Sequence, residues 1–438
     1  MTEQPSTLSA AQTQERNAMR QRLDRLEGFL RSDPHNAALR TDVFETALRC
    51  GEWDRAEVQL RQGQTQAADA LSWALKEGDF WLAQKRYAQA REVLQQLANV
   101  PDTPPGFSDV VLHNLAYIDF CEGQFSACIE RLAPRLEPQE YPPTTETSDE
   151  PLIPQRIDSD IEPALQQLWL RALHHAGDLD RATTWLKWAE QTRQLDARAA
   201  GVASLIALDD SYIDMAQRWS LAALATQQPQ DRPIEALVTQ ASIALAGQDA
   251  QRAAQLADAA LQINPNDGRA WSARAFADLL AGHLPQAQSD FHRALKTMPG
   301  HIGTWHGLAW TQLLSQDLAA AQASFEQALA MDRNFAESHG GLAVVLAMRG
   351  QEAAAREHIE LAMRLDRSNL SGQYAQALLS GEARDAAAVQ RLAKRLLGGR
   401  AGPLGGSMAD WLRPAGASVE AQPSDAGDSA GSAGDGTA

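Results

Sequence analysis

Ten histidines, three cysteines and 56 carboxylates are the side chains in this 438-residue chain from which a catalytic or metal site would have to be built. His301 and His306 stand five apart, so on a helix they point about 140° from each other and cannot chelate as an i, i+4 pair does. His174 and His175 are adjacent and diverge for the same reason. Cys121 and Cys128 lack zinc-ligand spacing, and with Cys50 they make a sparse, odd set that points to a reducing compartment rather than a disulfide framework. No phosphate-binding G-x-x-x-x-G-K-[ST] occurs, and Gly406-Ser407-Met408 has neither the second glycine nor the flanking strand of a nucleophile elbow. Paired carboxylates abound, but nothing in the pattern builds a pocket that would shift their pKa values. The chemistry expected is therefore none: no catalytic residue, no cofactor, no metal.

The elements that would position any site announce themselves by a period. Trp271, Trp305 and His339 stand 34 apart, as do Ala287, Ala321 and Ala355, then Phe291, Phe325 and Ile359, then Ala294, Ala328 and Ala362. A period of this length is the mark of a helix-turn-helix unit stacked on copies of itself, with small residues where helices cross. Four such units are expected at about 234–267, 268–301, 302–335 and 336–369. Ahead of them a helix over Gln14–Arg31 and hairpins over 36–61, 71–97 and 110–132 carry apolar stripes at helical spacing, with Ala56, Ala90 and Cys128 as their small crossing residues. Hairpins resume at Leu165, and a less regular unit spans 197–229.

The domain reading follows. Residues 1–13 are a disordered start, 14–133 an N-terminal set of hairpin repeats, and 164–397 a C-terminal array closed by a capping helix over Ala386–Leu397. Between them, 134–163 holds seven prolines and eight acidic residues against two arginines, a composition that bars both regular helix and collapse and reads as an acidic linker. From 398 to 438 the chain is Gly, Ala, Ser and Asp, read as a disordered tail. Met408, Trp411 and Leu412 interrupt it, either as a docking motif able to fold back on the array or as a last piece of helix on the cap. The fold class expected is all-α, an α-α superhelical solenoid.

These positions resemble the tetratricopeptide repeat family. Unit 268–301 supplies Trp271, Ala275, Gly282, Ala287, Phe291, Ala294 and Pro299, and the next supplies Trp305, Leu308, Ala309, Ala321, Phe325 and Ala328. Arg274 and Asp278 depart from the pattern, standing where the family prefers Leu and an aromatic. One turn apart, they are expected to pair on a helix rotated from its neighbours. The resemblance implies that first helices line a concave groove, here through Val238, Ser242 and Leu245, then Ser272, Phe276 and Leu279, then His306, Trp310 and Leu313, then Gly340, Val344 and Ala347. Glu235, Arg269, Gly303 and Glu337 stand at its mouth. Arg269, Ser272, Phe276, Leu279, His306, Trp310, Leu313, Glu337 and Val344 are the partner-binding residues expected, with Gly340 and Gly341 leaving room for a ligand backbone. The Lys and Asn residues that clamp a terminal carboxylate in the family's heat-shock co-chaperone branch are absent, so an apolar helix or peptide is the ligand implied.

A net charge of −17 disfavours nucleic acid and anionic lipid as partners. Met1–Arg20 has no apolar leader core, and no stretch approaches a membrane span, so a cytoplasmic location is expected. Arginine outnumbers lysine 34 to five amid abundant alanine, the bias of a GC-rich bacterial genome. The function expected is a non-catalytic scaffold or adaptor, in a bacterial secretion, pilus or envelope-assembly system. A secretion chaperone holding hydrophobic segments, or an accessory subunit of an enzyme complex, are the alternatives.

Overall fold

Every hairpin in the computed structural model turns on one residue in the left-handed region. The structure describes residues 10–66, 70–138, 163–192, 195–225 and 232–383, with single positions at 388, 391, 392 and 395. Among the described residues there are twenty helices and no strand, so the fold is all-α. The chain divides into two compact units, Met1–Gln240 and Ala241–Ala438.

In the first unit α1 (Ala10–Ser32) precedes the hairpins α2 (Ala37–Cys50) with α3 (Trp53–Gln66), α4 (Ala70–Ala83) with α5 (Tyr87–Ala98), and α6 (Phe107–Cys121) with α7 (Phe125–Leu136). Then come α8 (Pro163–Ala176) with α9 (Leu179–Gln191), α10 (Ala197–Asp209) with α11 (Ile213–Ala225), and the start of α12 (Ile234–Ala246). Ala56, Ala90, Cys128 and Ala182 are fully buried where helices cross, and Trp169, Trp185 and Trp219 fill the larger gaps. Asp119 on α6 is a buried carboxylate held by Arg91 at 2.6 Å and Arg131 at 2.7 Å, one from each neighbouring second helix. Helix α7 runs through Pro134 to a buried Leu136, whose carbonyl accepts from Trp185 Nε1 at 2.9 Å. Helix therefore continues to 136, past the proline at which the sequence reading placed the linker; the rest of that segment from 139 to 162 lies outside the described residues.

The second unit continues with α13 (Ala250–Ile263), α14 (Gly268–Leu280), α15 (Leu284–Thr297), α16 (Ile302–Leu314), α17 (Leu318–Met331), α18 (Ala336–Met348), α19 (Glu352–Leu365) and α20 (Leu370–Leu379). Its period has a visible physical basis. Asp249, Asp267 and Asp317 cap α13, α14 and α17 through their side chains, satisfying amides that the first turn leaves open. Each hairpin turns on a residue with positive φ, namely Gln248, Gly282, Gln316 and Gly350, again 34 apart. Phe291 and Phe325 are fully buried, as are Ala287, Ala321, Ala355, Ala294, Ala328 and Ala362.

The recurring aromatic ties each unit to the turn before it. Trp271 Nε1 donates to the Pro265 carbonyl and Trp305 Nε1 to the Pro299 carbonyl, both at 2.8 Å. His339 Nε2 makes the same bond to Arg333 O at 2.9 Å, and Gln373 Nε2 to Arg367 O at 3.3 Å. Helix α20 is thus a fifth first helix in this frame, an element the sequence reading passed over. The expected capping helix over 386–397 is described only at isolated positions, of which Ala388 and Leu392 are buried. Met408, Trp411 and Leu412 lie outside the described residues, as does all of 1–9 and 398–438.

Candidate functional site

Consecutive first helices of the second unit lie side by side, and a row of polar bonds stitches them. Ser272 Oγ on α14 meets Thr304 Oγ1 on α16 at 3.0 Å, and His306 Nε2 on α16 meets Ser338 Oγ on α18 at 2.8 Å. Glu337 on α18 accepts from Asn369 Nδ2 at 2.9 Å and from Ser371 Oγ, which binds α20. Ser272 and His306 are accordingly buried in the seam. Desolvation pulls the His306 imidazole down to about 4, so it is neutral at neutral pH. Burial raises the Glu337 carboxyl above its ordinary range, with the Ser371 and Asn369 bonds partly opposing it.

Val344 is fully buried and Leu313 nearly so, both in the core cluster with Phe325 and Ile359. Phe276, Leu279 and Trp310 are half-buried, as are Arg269 and Glu337. Phe276 stands edge-on to Phe291 at 4.9 Å and 85°, and Trp310 edge-on to Phe325 at 5.7 Å and 86°. The two pairs are one period apart, so α14 keeps the facing of α16 and is not rotated by its unusual residues. Arg274 does pair with Asp278, at 2.7 Å, and also reaches Asp258 on α13 at 3.0 Å. The Arg274–Asp278 pair lies along α14 with Asp278 buried, and the second bond of Arg274, to Asp258, bridges α14 to α13.

The space expected beside Gly340 and Gly341 is occupied by the protein itself. A Cβ built on Gly341 would lie 2.3 Å from Phe325 Cε1, and one on Gly340 would lie 2.3 Å from Asn369 Oδ1. Gly307 repeats the relation one period earlier, 2.4 Å from Phe291 Cζ. Gly307 and Gly341 admit the aromatic of the preceding unit and Gly340 admits Asn369 at the start of α20, which leaves no room for a ligand backbone.

What remains open on this face is a ladder that the sequence reading did not single out. Leu280, Leu314 and Met348 are the last residues of α14, α16 and α18. They are 45%, 54% and 38% exposed, and stand 34 apart. Each stands one turn after Phe276, Trp310 or Val344, on the same side of its helix. Side-by-side helix axes run about 8–10 Å apart, which sets the spacing of the rungs. The signal was available in the period: three large apolar residues recur at a helix end where solvent-facing polar residues are the rule.

Elsewhere, the candidate reactive groups are engaged in structure. His174 pairs with Asp209 at 2.7 Å, and His175 stacks on Phe125 at 5.0 Å. Burial pushes the Cys128 thiol up to about 12, the reverse of what a nucleophile needs. Among the described residues, no three His, Cys, Asp or Glu side chains gather in a way that could hold a metal ion. No described helix is long and apolar enough to cross a membrane.

Residues 302–335, which span α16, α17 and the loop to α18, match the tetratricopeptide repeat family model. That segment is a tetratricopeptide repeat, and its limits are those of the third unit read from the period. No curated protein matches the chain in sequence. Among solved structures, the chain is similar to IFIT1, crystallised as a monomeric mutant with m7Gppp-AAAA, at 12% identity and a TM-score of 0.48, covering 82% of this chain and 85% of that one. It is also similar to pilF of Pseudomonas aeruginosa, at 16% identity and a TM-score of 0.38 over 48% of this chain and 95% of that one. MamA of Desulfovibrio magneticus RS-1 is similar at 19% identity and a TM-score of 0.33 over 39% and 96%.

Proposed function

We propose that the chain is a non-catalytic protein-interaction scaffold that takes an apolar segment of a partner protein on the first-helix face of its second unit. The observation that carries this reading is the exposed ladder of Leu280, Leu314 and Met348, set one per repeat beside half-buried Phe276 and Trp310. An apolar row repeated in register over three consecutive units marks a contact surface more than singly scattered exposure does. Trp310 supplies the aromatic anchor from within the face, and Leu314, the most exposed rung, is the side chain that a ligand would cover first.

Burying a leucine stabilises a complex by about 1.5–3 kcal/mol, roughly ten- to a hundredfold in Kd. Peptides selected from a random display library on the full chain should carry large apolar residues, and Leu314→Glu should weaken their binding at least tenfold while the melting temperature stays within about 2 °C. Selected peptides that bind the Leu314→Glu protein as tightly as the parent would place the contact surface elsewhere.

A further inference from the structure

One unit of the array exchanges a structural device shared by its neighbours for a titratable one. At the position of Trp271 and Trp305 stands His339, and at the position of Asp290 and Ser324, one helix over, stands His358. His339 on α18 is buried and His358 on α19 half-buried. Their Nδ1 atoms face each other at 3.0 Å, and their ring centroids are 5.2 Å apart. A centroid separation that much longer than the nitrogen separation means the rings meet end-on. The two lone pairs thus aim at each other and do not converge on a third point where a metal ion could sit.

The Arg333 carbonyl decides the tautomer. It can only accept, so His339 Nε2 carries a proton and its Nδ1 is bare when the ring is neutral. His358 must then present its own proton at Nδ1, and the neutral pair holds one proton between the two rings. A first added proton charges either ring and leaves that bond intact, now as the stronger cation-to-neutral kind. Glu357 on α19 and Glu326 on α17 are the charged groups acting on His358, and both favour this cation. A second added proton sets N–H against N–H and two like charges at hydrogen-bond distance. We propose that His339 and His358 form a proton-sharing latch that ties α18 to α19, tightening on its first added proton and opening on its second. Burial first, and the facing His339 second, hold His358 below the ordinary imidazole range, consistent with a pair that resists double protonation. A proton shared across one bond makes the two rings a single coupled system.

The test follows the ring resonances of the full chain, labelled at histidine Cε1, from pH 8 to pH 4, alongside amide hydrogen exchange of α19. The latch predicts that His339 and His358 titrate together in two steps more than one pH unit apart. Exchange protection of α19 should hold through the first step and fall at least tenfold through the second. The double variant His339→Trp with His358→Ser restores the Trp305/Ser324 pattern of the preceding repeat, and over the same range its α19 protection should fall at least tenfold less than that of the parent. His358→Ser alone, which keeps the His339–Arg333 bond, serves the same purpose if the double variant does not fold. Independent single-step titrations of the two rings, or an unchanged fall in α19 protection when His358→Ser is present, would overturn the proposal.

Discussion

His306 shows how a single side chain here serves the stack. It sits between the rings of Phe325 and Phe335 at 5.6 and 5.4 Å and bonds Ser338, so it is held neutral, with its imidazole lowered from 6.5 to about 4. A lowered histidine pKa means the unfolded chain binds the proton first. The contribution is therefore complete above pH 6.5 and is lost as pH falls from 6.5 towards 4. At pH 5 the loss is about 2 kcal/mol. Unfolding free energies from urea titrations at pH 7.5 and pH 5 should differ by that much in the parent and by clearly less in His306→Gln, whose amide keeps a donor for Ser338 but does not titrate. An equal pH slope in the variant would remove His306 as the cause. From sequence, Ser272 and His306 read as groove-lining because they share a helix face with Phe276 and Trp310. Their polar partners lie 32 residues away on the next first helix, and a linear pattern carries no trace of that pairing.

At the scale of elements the period was legible because one turn and one crossing are repeated. Helix limits, small crossing residues and buried aromatics follow from Ala, Phe and Trp at fixed offsets, and 302–335 was bounded correctly for that reason. What the pattern hid were positions where unlike residues play one role. Gln248 and Gln316 turn hairpins as Gly282 and Gly350 do, and Gln373 replaces Trp in the bond that marks α20. A non-glycine in the left-handed region costs about 1–2 kcal/mol, partly offset by glycine's greater freedom when unfolded. Gln316→Gly should consequently stabilise the second unit by about 0.5–1 kcal/mol, seen as a melting temperature raised by roughly 1–4 °C. A lowered melting temperature would mean that the Gln316 side chain contributes more than its backbone costs. In the same repeat, Phe325→Ala removes the ring that fills the hollow at Gly341 and supports Trp310, and should cost about 3–5 kcal/mol in chemical denaturation. A loss below 1 kcal/mol would contradict the seating of that ring.

For the whole molecule, a repeating helical frame in the second unit leaves large apolar residues exposed at helix ends, Leu280, Leu314 and Met348 on first helices and Ile263, Met331 and Leu365 on second helices, and the proposal is that a partner binds on the first-helix row beside Trp310. The sequence reading centred that surface on Trp310. With the tryptophan packed edge-on against Phe325, its truncation mixes binding with stability, and the outer rungs separate the two better. The most direct measurement is isothermal titration of one library-selected apolar peptide into the parent chain, Leu314→Glu, Met348→Glu and the surface control Glu352→Gln, each with its melting curve. Both ladder variants should bind at least tenfold more weakly, the control should keep parent affinity, and the four melting temperatures should agree within about 2 °C. Parent-like affinity in both ladder variants, with folding intact, would contradict the proposal.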